Sequence, residues 1–277
     1  MKDVYPTRNE LAELYEKLFA AIKSERCKSK KQHTAAMYLT GEHYFEQPDH
    51  QKILVIGRAL NGWSLPCDFL LSSIGNTFDL AGQYIAEWNK MDDPTADVPW
   101  PGRELSHEEC HHLKWVNTYK NGKKTSNTGF WRLAKIAARK TGNLNDDLWI
   151  DQIAWTNLYK VSPNKKGNPQ GRCQKAQERT CVEILEKEIE LLNPSHIFVI
   201  ALTNKKDGGI TGEWVQPFIH VLESAEKENR RILYFPRPEF KSSKNIYIPY
   251  ICRYDTQTFE RLKEGNQDIN HRCLKEA

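Results

Sequence analysis

The seven cysteines of this chain include no CxxC pair, and seven is an odd count. A zinc ribbon or a disulfide framework needs paired, regularly spaced cysteines, so neither is expected. Free thiols in a reducing cytosol are the simplest reading. Long apolar runs are missing too. No stretch approaches the roughly 18 residues that a membrane-crossing helix needs, and Met1 to Glu10 holds no apolar signal region. A soluble, cytoplasmic protein with no membrane partner is the expectation. Charge of one sign is also scarce, since 40 Lys and Arg stand against 36 Asp and Glu, a formal net charge of +4. That excludes a histone-like or tail-driven nucleic-acid binder and confines any phosphate-binding surface to a local patch. The chain has no internal repeat, and its only biased tract is the short basic run Lys28 to Lys31.

What is present suits a globular protein. With 277 residues, 39% of them hydrophobic, the chain can bury about three quarters of its unfolded surface without covalent staples. Four apolar runs organise it: Ile53 to Ile56 leading into Gly57, Trp149 to Trp155 leading into Thr156-Asn157, Ile197 to Ile200 after Asn193-Pro194, and Ile232 to Phe235 ending at Pro236. Short runs rich in β-branched and aromatic residues, bounded by Gly, Pro and Asn, predict buried strands. Apolar residues at helical spacing predict helices from Asn9 to about Lys23, Phe130 to Arg139, Gln177 to Leu192 and Glu213 to Lys227. Strands alternating with helices predict an α/β fold, a three-layer αβα arrangement on a central, mainly parallel four-stranded sheet. The connection from Asn61 to Asn127 lacks clean periodicity. Its length marks a large insert after the first strand, about residues 64–128, acting as a lid or pocket-shaping region of a single domain spanning 1–277.

In an open parallel sheet, ligands bind outside the C-terminal ends of the strands. The residues to inspect are therefore Gly57-Arg58-Ala59-Leu60-Asn61-Gly62-Trp63, Thr156 to Pro163, Ala201-Leu202-Thr203-Asn204 and Pro236-Arg237-Pro238-Glu239. Their mixture of polar, basic and aromatic side chains suits a flat heterocycle beside phosphates.

One block is specific. Thr156-Asn157 with Lys160 and Pro163, followed by Glu178, Cys181, Leu185, Glu188-Ile189, Leu191-Leu192, Pro194 and the Ile197 to Ile200 run, resembles the uracil-DNA glycosylase superfamily. In that family's thermophilic and bacterial branches an Asn-x-x-Lys segment leads to a helix, a proline and a third strand. Ile53 to Gly62 stands where the family has its first motif, a strand with a glycine-led loop. Phe235 to Glu239 stands where it has its last, usually a His-Pro-Ser turn. The resemblance spans roughly Ile53 to Glu239 apart from the insert. It implies an enzyme that extrudes a base from stacked DNA into a pocket and cuts its N-glycosidic bond. Positive charge then develops on the sugar and negative charge on the leaving base, so fixed donors facing the base and a held water lower the barrier. Some relatives carry an iron–sulfur cluster on four cysteines. Here Cys173 and Cys181 stand too close together and no N-terminal pair exists, so no cluster, and no other cofactor or metal, is expected.

Carried over by residue, the resemblance puts Asn157 on the base edge, where an amide offers both a donor and an acceptor. Taken alone, the same residue reads as a turn Asn closing a strand. Gly57 and Arg58 would line the substrate with it. Where the family has Asp or Asn two residues after the glycine, this chain has Ala59. Asn61 is the nearest substitute, either holding a water or forming a tight turn with Gly62. Asp68 or Asp79 would otherwise supply a carboxylate from the insert, unless each is solvated or caps a helix. Arg237 stands at the family's His. It stays protonated, so it would stabilise an anionic leaving base without shuttling a proton, or else it is a surface arginine. Trp63 either stacks on the extruded base or belongs to the core. Lys160, Lys165, Lys166, Arg172, Lys241 and Lys244 are candidate phosphate contacts, each alternatively a solvated charge. The His107 to His112 patch lacks the HExxH order and a second ligand pair, so it reads as a polar helix rather than a metal site.

The expected activity is therefore that of a monomeric DNA glycosylase acting on a modified or deaminated pyrimidine and leaving an abasic site. By analogy with a phage-restricting type in the superfamily, bulky bases such as glucosylated hydroxymethylcytosine in viral DNA fall within that class. The competing expectation is a catalytically inactive nucleic-acid sensor or inhibitor that keeps the fold, which the missing Asp and His favour. A third is an enzyme of free nucleosides that needs no DNA strand.

Overall fold

The computed structural model describes residues 8–24, 33–35, 38–41, 43–59, 113, 116, 119–120, 123–124, 129–142, 149–163, 168–204 and 210–236. In chain order the elements are α1 (Arg8–Ser24), β1 (His33–Ala35), β2 (Leu39–Thr40), β3 (Ile53–Ala59), β4 (Tyr119–Lys120), β5 (Lys123–Lys124), α2 (Gly129–Gly142), β6 (Ile153–Tyr159), β7 (Val161–Pro163), α3 (Gly171–Leu192), β8 (His196–Asn204), β9 (Ile210–Thr211), α4 (Ile219–Lys227) and β10 (Arg231–Pro236). The described residues fall into two compact units, one drawn from 1–38, 59–111 and 157–193, the other from 39–58, 112–156 and 194–277.

The second unit holds an α/β mixed sheet. Its strand order is β10-β8-β3-β6-β2, with β9 pairing β8 off that path. At the centre β8 runs parallel to β3, from Ile53↔His196 to Ile56↔Val199, and parallel to β10, from Arg231↔His196. Ile53 to Ile56, Ile197 to Leu202 and Ile232 to Phe235 are all buried. Strands covered on both faces need no polar alternation, which is why these runs are uninterrupted in the sequence. Three strand starts are fastened together: the Ser195 and His196 amides both donate to the Lys52 carbonyl, and the Arg231 amide donates to the Ser195 carbonyl. The expected four strands are present within this larger sheet. The sheet is mixed because β2 pairs β6 antiparallel, through Leu39↔Trp155 and Thr40↔Ala154, and β9 pairs β8 antiparallel. Such an arrangement with helices is compatible with three layers. Two-residue strands give no sequence alternation to read, so β2 and β9 were not foreseen.

At the β2 edge Gly41 has a steric reason to be glycine. Its amide donates to the Ile153 carbonyl at 2.8 Å. A Cβ on it would lie 2.3 Å from the Asp151 carbonyl carbon and the Ile150 oxygen, both backbone atoms. Tertiary packing closes the unit: Trp131 of α2 meets Trp155 of β6 at a ring separation of 5.6 Å, and Phe198 of β8 meets Phe235 of β10 at 5.9 Å.

The first unit is built on two helices that pack together, α1 and α3. Leu11, Tyr15, Leu18, Phe19 and Ile22 make the buried stripe of α1, on a helix expected from Asn9 to about Lys23. On α3 the buried face is Gln177, Cys181, Ile184, Leu185, Glu188, Ile189 and Leu192. Asn193 ends this helix in the left-handed conformation, φ 42°, its amide closing on the Ile189 carbonyl, and Pro194 prevents continuation. A small antiparallel pair, β1 with β7, runs from His33↔Pro163 to Ala35↔Val161.

Cysteine usage differs from the expectation of free thiols throughout. Cys173, in the first turn of α3, is disulfide-bonded, while the buried Cys181 is free. Sequence spacing reports neighbours along the chain, not neighbours in space, and it held no information on this bond.

Candidate functional site

The site begins with where β6 starts. The apolar run Trp149 to Trp155 is not all strand, because Trp149–Gln152 forms a 3-10 turn. The strand opens at Ile153 and continues to Tyr159, with every residue buried. Asn157 therefore lies inside a buried strand rather than behind one. Its residue surface is 5% exposed, and among the described residues its side-chain amide has no hydrogen-bond partner. Neither its oxygen nor its nitrogen is among the fully buried, unpartnered polar atoms, so this side chain is suited to meeting an outside donor and acceptor.

The backbone around Asn157 is held from α3. The Lys160 ammonium donates to the Asn157 carbonyl at 2.6 Å and to Glu188 Oε2 at 2.7 Å. Lys160 is 1% and Glu188 0% exposed. Seven residues before Glu188 on the same buried stripe, the Cys181 thiol faces Gln177 Oε1 at 3.6 Å; Gln177 in turn grips Val161. Its Oε1 accepts from the Val161 amide at 3.0 Å, and its Nε2 donates to the Val161 carbonyl at 3.1 Å. One side-chain amide thus imitates a neighbouring strand. A buried ammonium is tolerable here because a carboxylate and a carbonyl both face it.

Burial dominates the titration of the neighbouring groups. Burial pushes the Cys181 thiol up to about 12, with Lys160 opposing that shift. Burial, and next the Glu188 charge, raise Tyr15 well above the usual phenol range. Tyr159 is pushed up to about 12 by burial, against the bond its hydroxyl accepts from Gln174 Nε2 at 3.2 Å.

In the other unit, Gly57 and Arg58 also lie within a strand rather than beyond it. Registered β3–β8 pairing runs to Ile56↔Val199. Past that point Arg58 reaches across, Nε donating to the Ala201 carbonyl at 2.8 Å and Nη2 to the Leu202 carbonyl and Thr203 Oγ1 at 2.6 Å each. Its guanidinium carbon lies 5.7 Å from the centre of the Trp214 ring, a cation–π contact. Arg58, expected to line a substrate, thereby braces the end of β8. Ala59 ends β3 with a methyl group.

Lys160 requires a correction. Expected on a phosphate, it is instead enclosed directly after β6, where its ammonium is held by the Glu188 carboxylate and the Asn157 carbonyl. Arg172 is exposed in the first turn of α3, as a surface cation would be. The remaining calls, Asn61, Trp63, Asp68, Asp79, Lys165, Lys166, Arg237, Lys241, Lys244 and the His107 to His112 patch, lie outside the described residues. Sequence reasoning missed the tasks of Glu188 and Gln177. Their signal was a charged and an amide residue at core positions of an apolar helical stripe, which a solvent-facing role cannot explain. Thr203 was among the strand-end residues singled out, but its contact with Arg58, like that of Trp214, is announced by no local pattern.

No described helix is long and apolar enough to cross a membrane. Among the described residues no group of three or more His, Cys, Asp and Glu could hold a metal ion. Compared with known proteins, the chain matches no family model and no curated protein.

Proposed function

We propose that the chain is a DNA glycosylase of the uracil-DNA glycosylase kind, which extrudes a modified or deaminated pyrimidine and hydrolyses its N-glycosidic bond. One observation carries the reading: Asn157 presents a nearly enclosed amide with no partner among the described residues. A pyrimidine edge offers one donor and one acceptor side by side, and a carboxamide answers both. Negative charge growing on the departing base strengthens the bond that the amide NH2 donates, so the interaction favours the transition state over the ground state. Supporting this, Asn157, Lys160, Cys181 and Glu188, which carry the resemblance in sequence, belong to one buried cluster. Asn61 or Asp68 would hold the attacking water, and Arg237 would face the anionic base. Bulky bases, glucosylated hydroxymethylcytosine among them, belong to the substrate class proposed.

The test is incubation with oligonucleotides bearing uracil, hydroxymethylcytosine or its glucosylated form, followed by alkali to break abasic sites. Strand breaks with at least one substrate are expected, reduced by about 100-fold in Asn157→Ala, the scale of losing one transition-state donor. Intact strands with all three would overturn the reading. The methyl group of Ala59, which cannot activate water, favours a second reading, a binder that keeps the fold without the chemistry. That protein would bind DNA in a salt-sensitive manner, release no base, and be indifferent to Asn157→Ala.

A further inference from the structure

From the buried Lys160–Glu188 pair we infer that Lys160 is a positioning residue that fixes the Asn157 amide. In its link to base release the inference rests on the glycosylase reading; in its geometry it does not. Lys160 Nζ holds the Asn157 carbonyl at 2.6 Å and is itself held by Glu188 at 2.7 Å. Gln177 fixes both backbone groups of Val161 from the same helix. The backbone from Asn157 to Val161 is thus tied to α3 at two points, one on either side of Tyr159, whose hydroxyl accepts a further bond from Gln174. Glu188 and Gln177 are eleven residues apart on α3, about three turns, so a single rigid helix sets both ties. Side-chain direction follows from backbone placement, and a near-enclosed amide that must meet a flat ring tolerates little error in it. Stability does not account for the pair, since a fully buried ion pair contributes little net free energy compared with apolar residues of similar volume. A geometric task does account for it.

Lys160→Met/Glu188→Leu is the informative variant, because replacing both charges together leaves no stranded ion and keeps the fold. In the full-length 15N-labelled protein, the Asn157 side-chain NH2 signals are assigned by their loss in Asn157→Ala. Wild type should give one sharp pair; the double variant should give a broadened or split pair. Glu188→Gln, which still accepts a hydrogen bond from the ammonium, should keep one pair. With a cleavable oligonucleotide, the double variant should lose about tenfold to a hundredfold in single-turnover base release. DNA affinity should be unchanged, and adding Asn157→Ala should cause no further loss, since both changes act through one group. A single unchanged NH2 pair in the double variant overturns the inference, as does an equal rate loss in the presence and absence of Asn157. If the NH2 pair responds while wild type neither binds nor cuts any of the DNAs, the positioning role stands and the glycosylase reading falls.

Discussion

Removing only the positive member of the Lys160–Glu188 pair is the sharpest stability test of the buried cluster. At 2.7 Å and an effective dielectric of about 20, the gross attraction is about 6 kcal/mol. Against it stands a desolvation penalty of several kcal/mol for each ion, so the intact pair is close to neutral overall. Lys160→Met abolishes the attraction but leaves the Glu188 carboxylate enclosed, and it also removes a charge-assisted bond to the Asn157 carbonyl. The expected cost is about 3–5 kcal/mol. Lys160→Met/Glu188→Leu removes both penalties and should fall within about 1–2 kcal/mol of wild type, less destabilised than the single variant. Urea unfolding at neutral pH measures this, followed by the fluorescence of the buried Trp131, Trp149 and Trp155. With a slope of about 3 kcal/mol/M, the single variant's midpoint should drop by about 1–2 M. A single variant within about 1 kcal/mol of wild type, or a double variant that costs the sum of two separate losses, would refute the idea of an enclosed pair.

Gly41→Ala should destabilise by several kcal/mol, on the scale of overpacking or more, because the new methyl group meets rigid backbone at 2.3 Å. Thermal melting reads this, and a melting temperature equal to wild type would show that the β2 edge does not sit as described. Stability should also fall at high pH. The folded thiol of Cys181 and phenol of Tyr159 release protons only near about 12, whereas unfolded groups do so near 9.0 and 10.0. Between those values the unfolded chain holds fewer protons than the folded one, so the linkage slope is negative. Cys181→Ala should flatten that alkaline decline in urea midpoints, and an unchanged slope would count against burial of the thiol. On the acid side, burial and then Arg231 hold His196 below its ordinary 6.5. Its contribution is full above 6.5 and is lost as pH falls through the folded value. His196→Gln should therefore shallow the acid limb, and identical acid limbs would refute the assignment.

Long apolar runs made the strands at Ile53, Ile197 and Ile232 legible, because burial on both faces writes itself as an unbroken hydrophobic stretch. The stripes of α1 and α3 were legible through their period. Boundaries were not. Trp149 to Trp155 looks like one strand because large apolar residues pack equally well in a 3-10 turn, and nothing in those side chains marks the change at Ile153. That shift of four residues moved Asn157 from a presumed loop into a buried strand and left Lys160 enclosed just past its end. Glu188 was visible as a member of an apolar stripe, yet its partner could be identified only in three dimensions, 28 residues away along the chain. Such a pairing lacks any local period.

Arg58 and Lys160 follow the same physical rule, and it reassigns both. Each comes shortly after an apolar run, where a cation invites the reading of a phosphate or base contact. Each instead satisfies backbone carbonyls: Ala201 and Leu202 for Arg58, past the registered β3–β8 pairs, and Asn157 for Lys160. A buried carbonyl needs a donor from somewhere, and where a ladder ends a long cationic side chain supplies one. A cation already holding two or three acceptors has less capacity left for DNA than its charge suggests. On the glycosylase reading proposed above, recognition would then rest less on charge than on the amide of Asn157, whose donors and acceptor are not taken up by the described residues around it. Phosphate contacts, if the chain meets DNA, must come from exposed cations such as Arg172. Its replacement should weaken binding to every sequence alike and reduce the salt slope by about one unit, while replacement of Asn157 should alter discrimination between bases and leave that slope unchanged.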